Sequence, residues 1–142
     1  MPSAERTISI RRPVDEVFRF LADGRTATQW RSGVLEVSKV SGDGLGSVYK
    51  QQVRGPGGRP IDADYEITGF DTDKLIAFRA IAGPVRPTGS FTFEPMGDAT
   101  ILTFKLDAEL GGWKKLVMGG PVQSTMNAEM AALDRLQELL ER

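Results

Sequence analysis

PVQSTMNAEMAALDRLQELLER, Pro121–Arg142, decides the fold. Gly119 and Gly120 precede it as breakers, and a proline suits the first turn of a helix because its missing N–H has no partner there. Val122, Met126, Leu133, Leu136 and Leu140 then recur at helical spacing and form one apolar stripe. Asn127, Asp134, Arg135, Glu138 and Glu141 fall on the other side. At 1.5 Å per residue the helix is about 33 Å long. A sheet of roughly six or seven strands, spaced about 4.8 Å apart, has a similar width. The expected domain is one long helix laid across one curved sheet.

Glu129 breaks the pattern, because it falls inside the stripe between Met126, Leu133 and Leu136. Either the stripe is wide and Glu129 reaches water at its edge, or the helix roofs a cavity and Glu129 points into it. Buried carboxylates are rare unless paired.

The chain of 142 residues is long enough for one domain with a real core. Net charge is −1 and the basic residues are scattered, which argues against nucleic acid as a partner. No apolar run approaches a membrane span. Met1 to Ile10 lacks the charged and apolar regions of a signal peptide, so the expected location is the cytoplasm. There is no cysteine and no histidine. The first absence removes disulfides, thiolate nucleophiles and iron–sulfur ligands. The second removes the usual general base, the Ser-His-Asp triad and the common zinc sites. Composition leaves open a magnesium or calcium site made only of carboxylates, but the acidic residues are not spaced like a calcium loop, and neither a metal nor a cofactor is expected.

Upstream of the helix the period changes. Glu5–Arg11 alternates, with Ile8 and Ile10 on one face. Pro13 opens a short helix with Val14, Val17, Phe18 and Leu21 as its apolar face and Asp15-Glu16 in the first turn, where acids suit the dipole. Asp23-Gly24 stops it. A second short helix is expected from about Arg25 to Trp30, with Trp30 as a core plug. Strands are then expected over Val34–Val40, Ser47–Arg54, Ile61–Phe70, Leu75–Ile81, Thr88–Glu94 and Thr100–Asp107, divided by glycine- and proline-rich turns. Ile61, Ala63, Tyr65 and Ile67 face one way and Asp62, Asp64, Glu66 and Thr68 the other, the mark of an antiparallel sheet covered on one side. Ile76, Phe78 and Ala80 make the better inner face of their strand and leave Arg79 outside. Phe91 and Phe93, and Leu102, Phe104 and Leu106, point inward. Pro84 and Pro87 delay the strand at Thr88. Trp113–Met118 is expected as one or two helical turns between glycine pairs. Short turns between consecutive strands predict an antiparallel meander.

These residues together resemble the polyketide cyclase/dehydrase and lipid-transport group of the START-like (Bet v 1-like, helix-grip) superfamily. The resemblance is carried by Ile8, Ile10, Pro13, Glu16-Val17-Phe18, Leu21, Asp23 and Trp30; by Gly44-Leu45-Gly46-Ser47 leading into a strand; by Phe91, Phe93 and Glu94-Pro95; and by Leu133, Leu136-Gln137 and Glu141. It covers nearly the whole chain. Gln137 stands where the family often has lysine, at a position expected to be exposed. The resemblance implies an α+β helix-grip fold: a curved antiparallel sheet of six to seven strands wrapped around the long C-terminal helix, with two short helices after the first strand. It also implies a cavity between sheet and helix, and residues 1–142 as a single START-like domain.

Periodicity directs Tyr49, Gln51, Val53, Tyr65, Phe78, Phe91, Phe93, Met126 and Glu129 to the same region, a mostly apolar wall with a few polar groups. All of these but Val53, together with Trp30, are the candidate ligand-binding residues. Tyr49 and Tyr65 either pack with one partner each or hold a ligand oxygen, and Gln51 can both donate and accept. Glu129 is the one candidate general base or acid, since burial disfavours the charged carboxylate; Tyr65 or Tyr49 could serve beside it as oxyanion donor. Trp113, Met118, Met126 and Met130 form either an adaptable mouth or ordinary packing, and Met130 alternatively meets a partner subunit. Gly42-x-Gly44-x-Gly46 is not a phosphate loop, because a strand follows where a helix is required.

The function expected first is binding of a small hydrophobic or amphipathic ligand, lipid or polyketide-like, without covalent chemistry. The alternatives are a metal-free polyketide cyclase or dehydratase using the cavity carboxylate, and a protein-interaction module with a vestigial cavity. The expected partner is the small ligand alone, with no integral membrane contact, for a monomer or homodimer.

Overall fold

The computed structural model describes residues 2–83, 85–110 and 112–142, the side chains of 56 and 112–118 excepted. Strand β1 (Ser3–Ile10) is followed by helix α1 (Val14–Ala22) and a 3-10 helix (Gly24–Gln29). Then come β2 (Val34–Ser41), β3 (Val48–Arg54), β4 (Pro60–Asp62), β5 (Tyr65–Asp71), β6 (Leu75–Ala80), β7 (Thr88–Met96) and β8 (Ala99–Asp107). Helices α2 (Gly112–Ala131) and α3 (Leu133–Leu140) close the chain. The sheet runs β1-β8-β7-β6-β5-β3-β2, with β4 also paired to β3, and all its pairings are antiparallel. The meander therefore holds from β2 to β8. The two helices after β1 let it return to the far edge, beside β8.

The alternation in sequence becomes an inner and an outer face. Ile76, Phe91, Phe93, Leu102, Phe104 and Leu106 are buried beneath the helices, each worth about 1.5–3 kcal/mol of transfer free energy. Arg79 lies outside and pairs with Glu66 on the neighbouring strand. The expected strand Ile61–Phe70 is divided at Ala63-Asp64. The Asp64 carboxylate accepts the Gln51 backbone N–H at 3.1 Å, a donor that an unbroken ladder would have given to a carbonyl.

The last helix departs from expectation at its start. Helix α2 begins at Gly112 and carries Pro121 in its interior, so Gly119-Gly120-Pro121 neither starts nor stops it. The break comes at Ala132, whose backbone keeps helical angles and whose N–H still reaches Ala128 O at 3.0 Å. Met126, Met130, Leu133 and Leu136 are buried. Met130 thus packs in this chain's own core and not at the stripe's edge against a partner. Gln137 is half-buried and not exposed, and donates to Ser9 O at 2.8 Å. Gln123 likewise donates to Ser3 O at 2.7 Å and accepts from Ser3 N–H at 3.1 Å. The helices thereby meet three backbone groups of edge strand β1, at Ser3 and Ser9, on an edge that would otherwise be a pairing hazard. Pro84, expected to delay the strand at Thr88, and the side chains of Trp113 and Met118, expected around the mouth, lie outside the described residues. Among the described residues no helix is long and apolar enough to cross a membrane.

Candidate functional site

The inner face of the sheet carries one continuous row of aromatic rings. Tyr49 stacks on Tyr65 at 5.0 Å between centroids, and Tyr65 meets Phe78 edge-on at 5.8 Å. Phe78 lies 6.2 Å from Phe91, and Phe91 stacks on Phe104 at 4.4 Å. Trp30, 3 % exposed, sets its edge against both Phe91 and Phe104. Both ends of the row are buried, Trp30 and Phe104 at one and Tyr49 at the other, while Tyr65 and Phe78 between them are half-buried; Met126 and Leu133 belong to the same core. Trp30 is a core plug, as its position before the sheet suggested. Its Nε1–H is buried without a hydrogen-bond partner among the described residues. Phe93 is not a member of this row. It packs on Phe18 of α1 at 5.1 Å, in a separate group with Phe70.

The polar end of the site is organised by a residue that periodicity did not find. Arg31 follows Trp30 in the irregular link between the 3-10 helix and β2. Its guanidinium grips Glu129 with two bonds, Nε to Oε2 at 2.6 Å and Nη2 to Oε1 at 3.0 Å. Nη1 donates to Gln51 Oε1 at 3.3 Å, and Gln51 Nε2 donates to Ala63 O at 3.1 Å. The side chains of Arg31 and Glu129 keep only 20 % and 14 % of their exposure. Burial opposes the charge on Arg31, but the adjacent Glu129 carboxylate outweighs it, and the guanidinium is held above its ordinary pKa. Glu129 is therefore not a lone carboxylate under an apolar roof. It points inward, and a planar bidentate cation meets it there, the geometry that suits arginine.

The two tyrosines flank this end differently. Tyr49 Oη donates to Ala22 O over 3.4 Å, a long bond. Burial raises the pKa of Tyr65 well above that of a free phenol, against the smaller lowering effect of Arg31, so its hydroxyl stays protonated. Gly24 makes room for both rings. A Cβ there would overlap the Tyr65 hydroxyl and come within 2.9 Å of Tyr49 Cε1. This is a close-approach glycine rather than a turn glycine.

The expected space between sheet and helix is filled by side chains at the β7–β8 end. A cleft of about 630 Å³ lies elsewhere, at the C-terminal end of α1, over Phe18, Tyr49 and Phe70 and rimmed by the ion pairs Asp23–Arg25 and Lys39–Asp43. A smaller one of about 300 Å³ lies on the sheet around Arg79, Thr88 and Lys105.

Comparison with known structures agrees with this architecture. The protein TTHA0849 from Thermus thermophilus superposes with a TM-score of 0.80 at 20% identity, over 96% of this chain and 95% of its own. A START superfamily protein from Mycobacterium smegmatis gives 0.73 at 16% identity, over 97% and 98%. The Zhui aromatase/cyclase from Streptomyces sp. R1128 gives 0.72 at 16% identity, over 99% and 95%. At these identities the likeness shows the helix-grip fold. No curated protein matches the chain in sequence. The model of one family, described as polyketide cyclase / dehydrase and lipid transport, matches residues 1–141, and the chain belongs to that family.

Proposed function

We propose that this protein binds a small hydrophobic or amphipathic molecule between its sheet and C-terminal helices, without covalent chemistry. The observation that carries this reading is the aromatic row, whose two half-buried rings, Tyr65 and Phe78, lie between buried rings on either side and near the largely buried Arg31–Glu129 pair. An apolar wall with few, convergent polar groups is the usual make-up of a small-molecule site. Phe78, Tyr65 and Phe91 supply the wall. Arg31, Gln51, Glu129 and Tyr65 supply the polar end.

The test is thermal unfolding against fatty acids, sterols, flavonoids and aromatic polyketides, with Phe78→Ala beside the wild type. A ligand at a hundred times its Kd adds about 2.7 kcal/mol, which for a chain of this length raises Tm by roughly 5 to 10 °C. The expected result is such a shift in the wild type, cut by the truncation. A flat panel would overturn the reading and favour a protein-interaction module, to be pursued by pull-down.

A second reading has one observation in its favour, the likeness in fold to an aromatase/cyclase. A cyclase or dehydratase would use Glu129 as base and Tyr65 as oxyanion donor. Both Glu129 oxygens accept from Arg31, so the base would first have to leave its cation, which weighs towards binding. Turnover of a genuine substrate that survived Glu129→Gln would exclude the catalytic role.

A further inference from the structure

The polar end of the site has a charge balance that selects among ligands, an inference that rests on the binding reading above and narrows it. Glu129 gives both oxygens to one guanidinium, and Gln51 gives its carbonyl oxygen to the same group. The Gln51 amide N–H is taken by Ala63 O. The positive charge of Arg31 is therefore fully answered inside the protein. Asp64 holds the Gln51 backbone N–H through Oδ1, and Asp23, on the Tyr65 side, is itself paired with Arg25. The Arg31–Glu129 pair is neutral as a unit and leaves no unanswered positive charge on Arg31.

A carboxylate ligand brought to this place has two choices, both poor. It can sit beside the pair and face the Glu129 charge in a largely dry environment. Alternatively it can displace Glu129 from Arg31 and leave that carboxylate, 14 % exposed, without its cation. An uncharged oxygen meets neither penalty. Three of the five guanidinium N–H groups are engaged by Glu129 and Gln51 among the described residues. The others, with the Tyr65 hydroxyl, can donate to a carbonyl or hydroxyl without disturbing the pair.

We infer that the ligand carries an uncharged oxygen function at its polar end, a ketone, enol, phenol or alcohol, and that Glu129 acts as the residue that excludes acids. Arg31 then serves as a polarised donor and not as an anion receptor. On this reading a free fatty acid is a poor ligand, and a neutral oxygenated molecule with an aromatic or aliphatic body is a good one.

The test compares matched probes that differ only at the polar end. Dodecanoic acid is set against dodecan-1-ol, and 2-naphthoic acid against 2-naphthol and 2-acetylnaphthalene, with Kd measured by calorimetry on the full chain. At neutral pH the neutral members should bind at least tenfold more tightly than their acids. In Glu129→Gln, where Arg31 is no longer answered, the gap should close or reverse. Where that variant does not fold, the wild type keeps the test. Lowering the pH until the probe acid is itself protonated should tighten its binding towards that of the neutral partner. An acid that binds the wild type at neutral pH as well as its neutral partner would overturn this inference and leave the binding function standing. Failure of every probe in both series would overturn the binding function and this inference together.

Discussion

Arg31 and Glu129 should be strongly coupled in stability, and the magnitude follows from their surroundings. Removing one partner of a fully buried ion pair costs about 3–5 kcal/mol, because the other charge is stranded. Here the side chains keep 20 % and 14 % exposure, so water offsets part of that, and about 2–3 kcal/mol is expected for Glu129→Leu. Arg31→Met should cost somewhat more, since it also strips the donor from Gln51 Oε1, 3.3 Å away. Unfolding entropy of about 2.1 cal/mol/K per residue makes each kcal/mol worth roughly 3 °C in a chain of this length. Each single variant should therefore lose about 6 to 10 °C in Tm. The double variant buries no charge at all and should fall within about 1 kcal/mol of the wild type, because an apolar pair can replace a buried ion pair without loss. Scanning calorimetry of the four proteins completes the cycle. Single losses that simply add in the double variant would refute the claim that the two charges answer each other.

Three further outcomes follow from the same geometry. Gly24→Ala places a Cβ against the Tyr65 hydroxyl and should cost about 1–3 kcal/mol through overpacking; Tyr65→Phe in that background should recover most of the loss in chemical denaturation, and no recovery would mean that Tyr49 is the limiting contact. The Asp23 carboxyl is held below the ordinary carboxylate range, chiefly by its hydrogen bond with Arg25. Its stabilisation is therefore present above roughly pH 4 and is lost as pH falls through the lowered folded value, so the Tm gap between wild type and Asp23→Asn should be wider near neutrality than in acid. The raised pKa of Tyr65 has the opposite sense: its contribution is complete below about pH 10 and is lost as pH rises above it. Near pH 10 wild type and Tyr65→Phe should show nearly equal tyrosinate absorbance while folded and should differ by about half a tyrosinate once unfolded.

Much of the fold could be read because the sheet is covered on one face only. Phe91, Phe93, Phe104 and Leu106 alternate with polar residues and are buried, and there the two-residue period leaves little choice of phase; Leu75–Ile81 is ambiguous by pattern, and Ile76 is the buried residue. Val17, Phe18 and Leu21 did the same for α1 at the helical period. What misled was local chemistry overridden by longer-range structure. Gly119-Gly120-Pro121 carries the marks of a helix start, yet α2 passes through it, since a proline costs one backbone bond and that loss can be borne within a long helix. Gln137 looked solvent-exposed on its helix, but an edge strand had carbonyls to satisfy, and nothing along the helix itself announces Ser9.

The site was legible only from one side. Glu129 broke the apolar stripe and so marked the place where something polar must be met. Its partner could not be found by period, because Arg31 lies in an irregular link 98 residues away. A charge rule finds it where a pattern rule does not. An acid inside an apolar stripe needs a cation beside the core, and among the basic residues Arg31 directly follows Trp30, a large apolar residue already expected to plug that core. Once the pair is placed, the other features of the site fall into relation. Gln51 points inward by strand alternation and becomes the third member of the cluster. Tyr65 is held neutral beside it, and Gly24 is small because both tyrosine rings need its space. An ion pair so enclosed is costly to desolvate and contributes little net stability compared with an apolar pair of the same shape. Its place near Tyr65, one of the two half-buried rings of the aromatic row, is what the proposed selection among polar groups would account for.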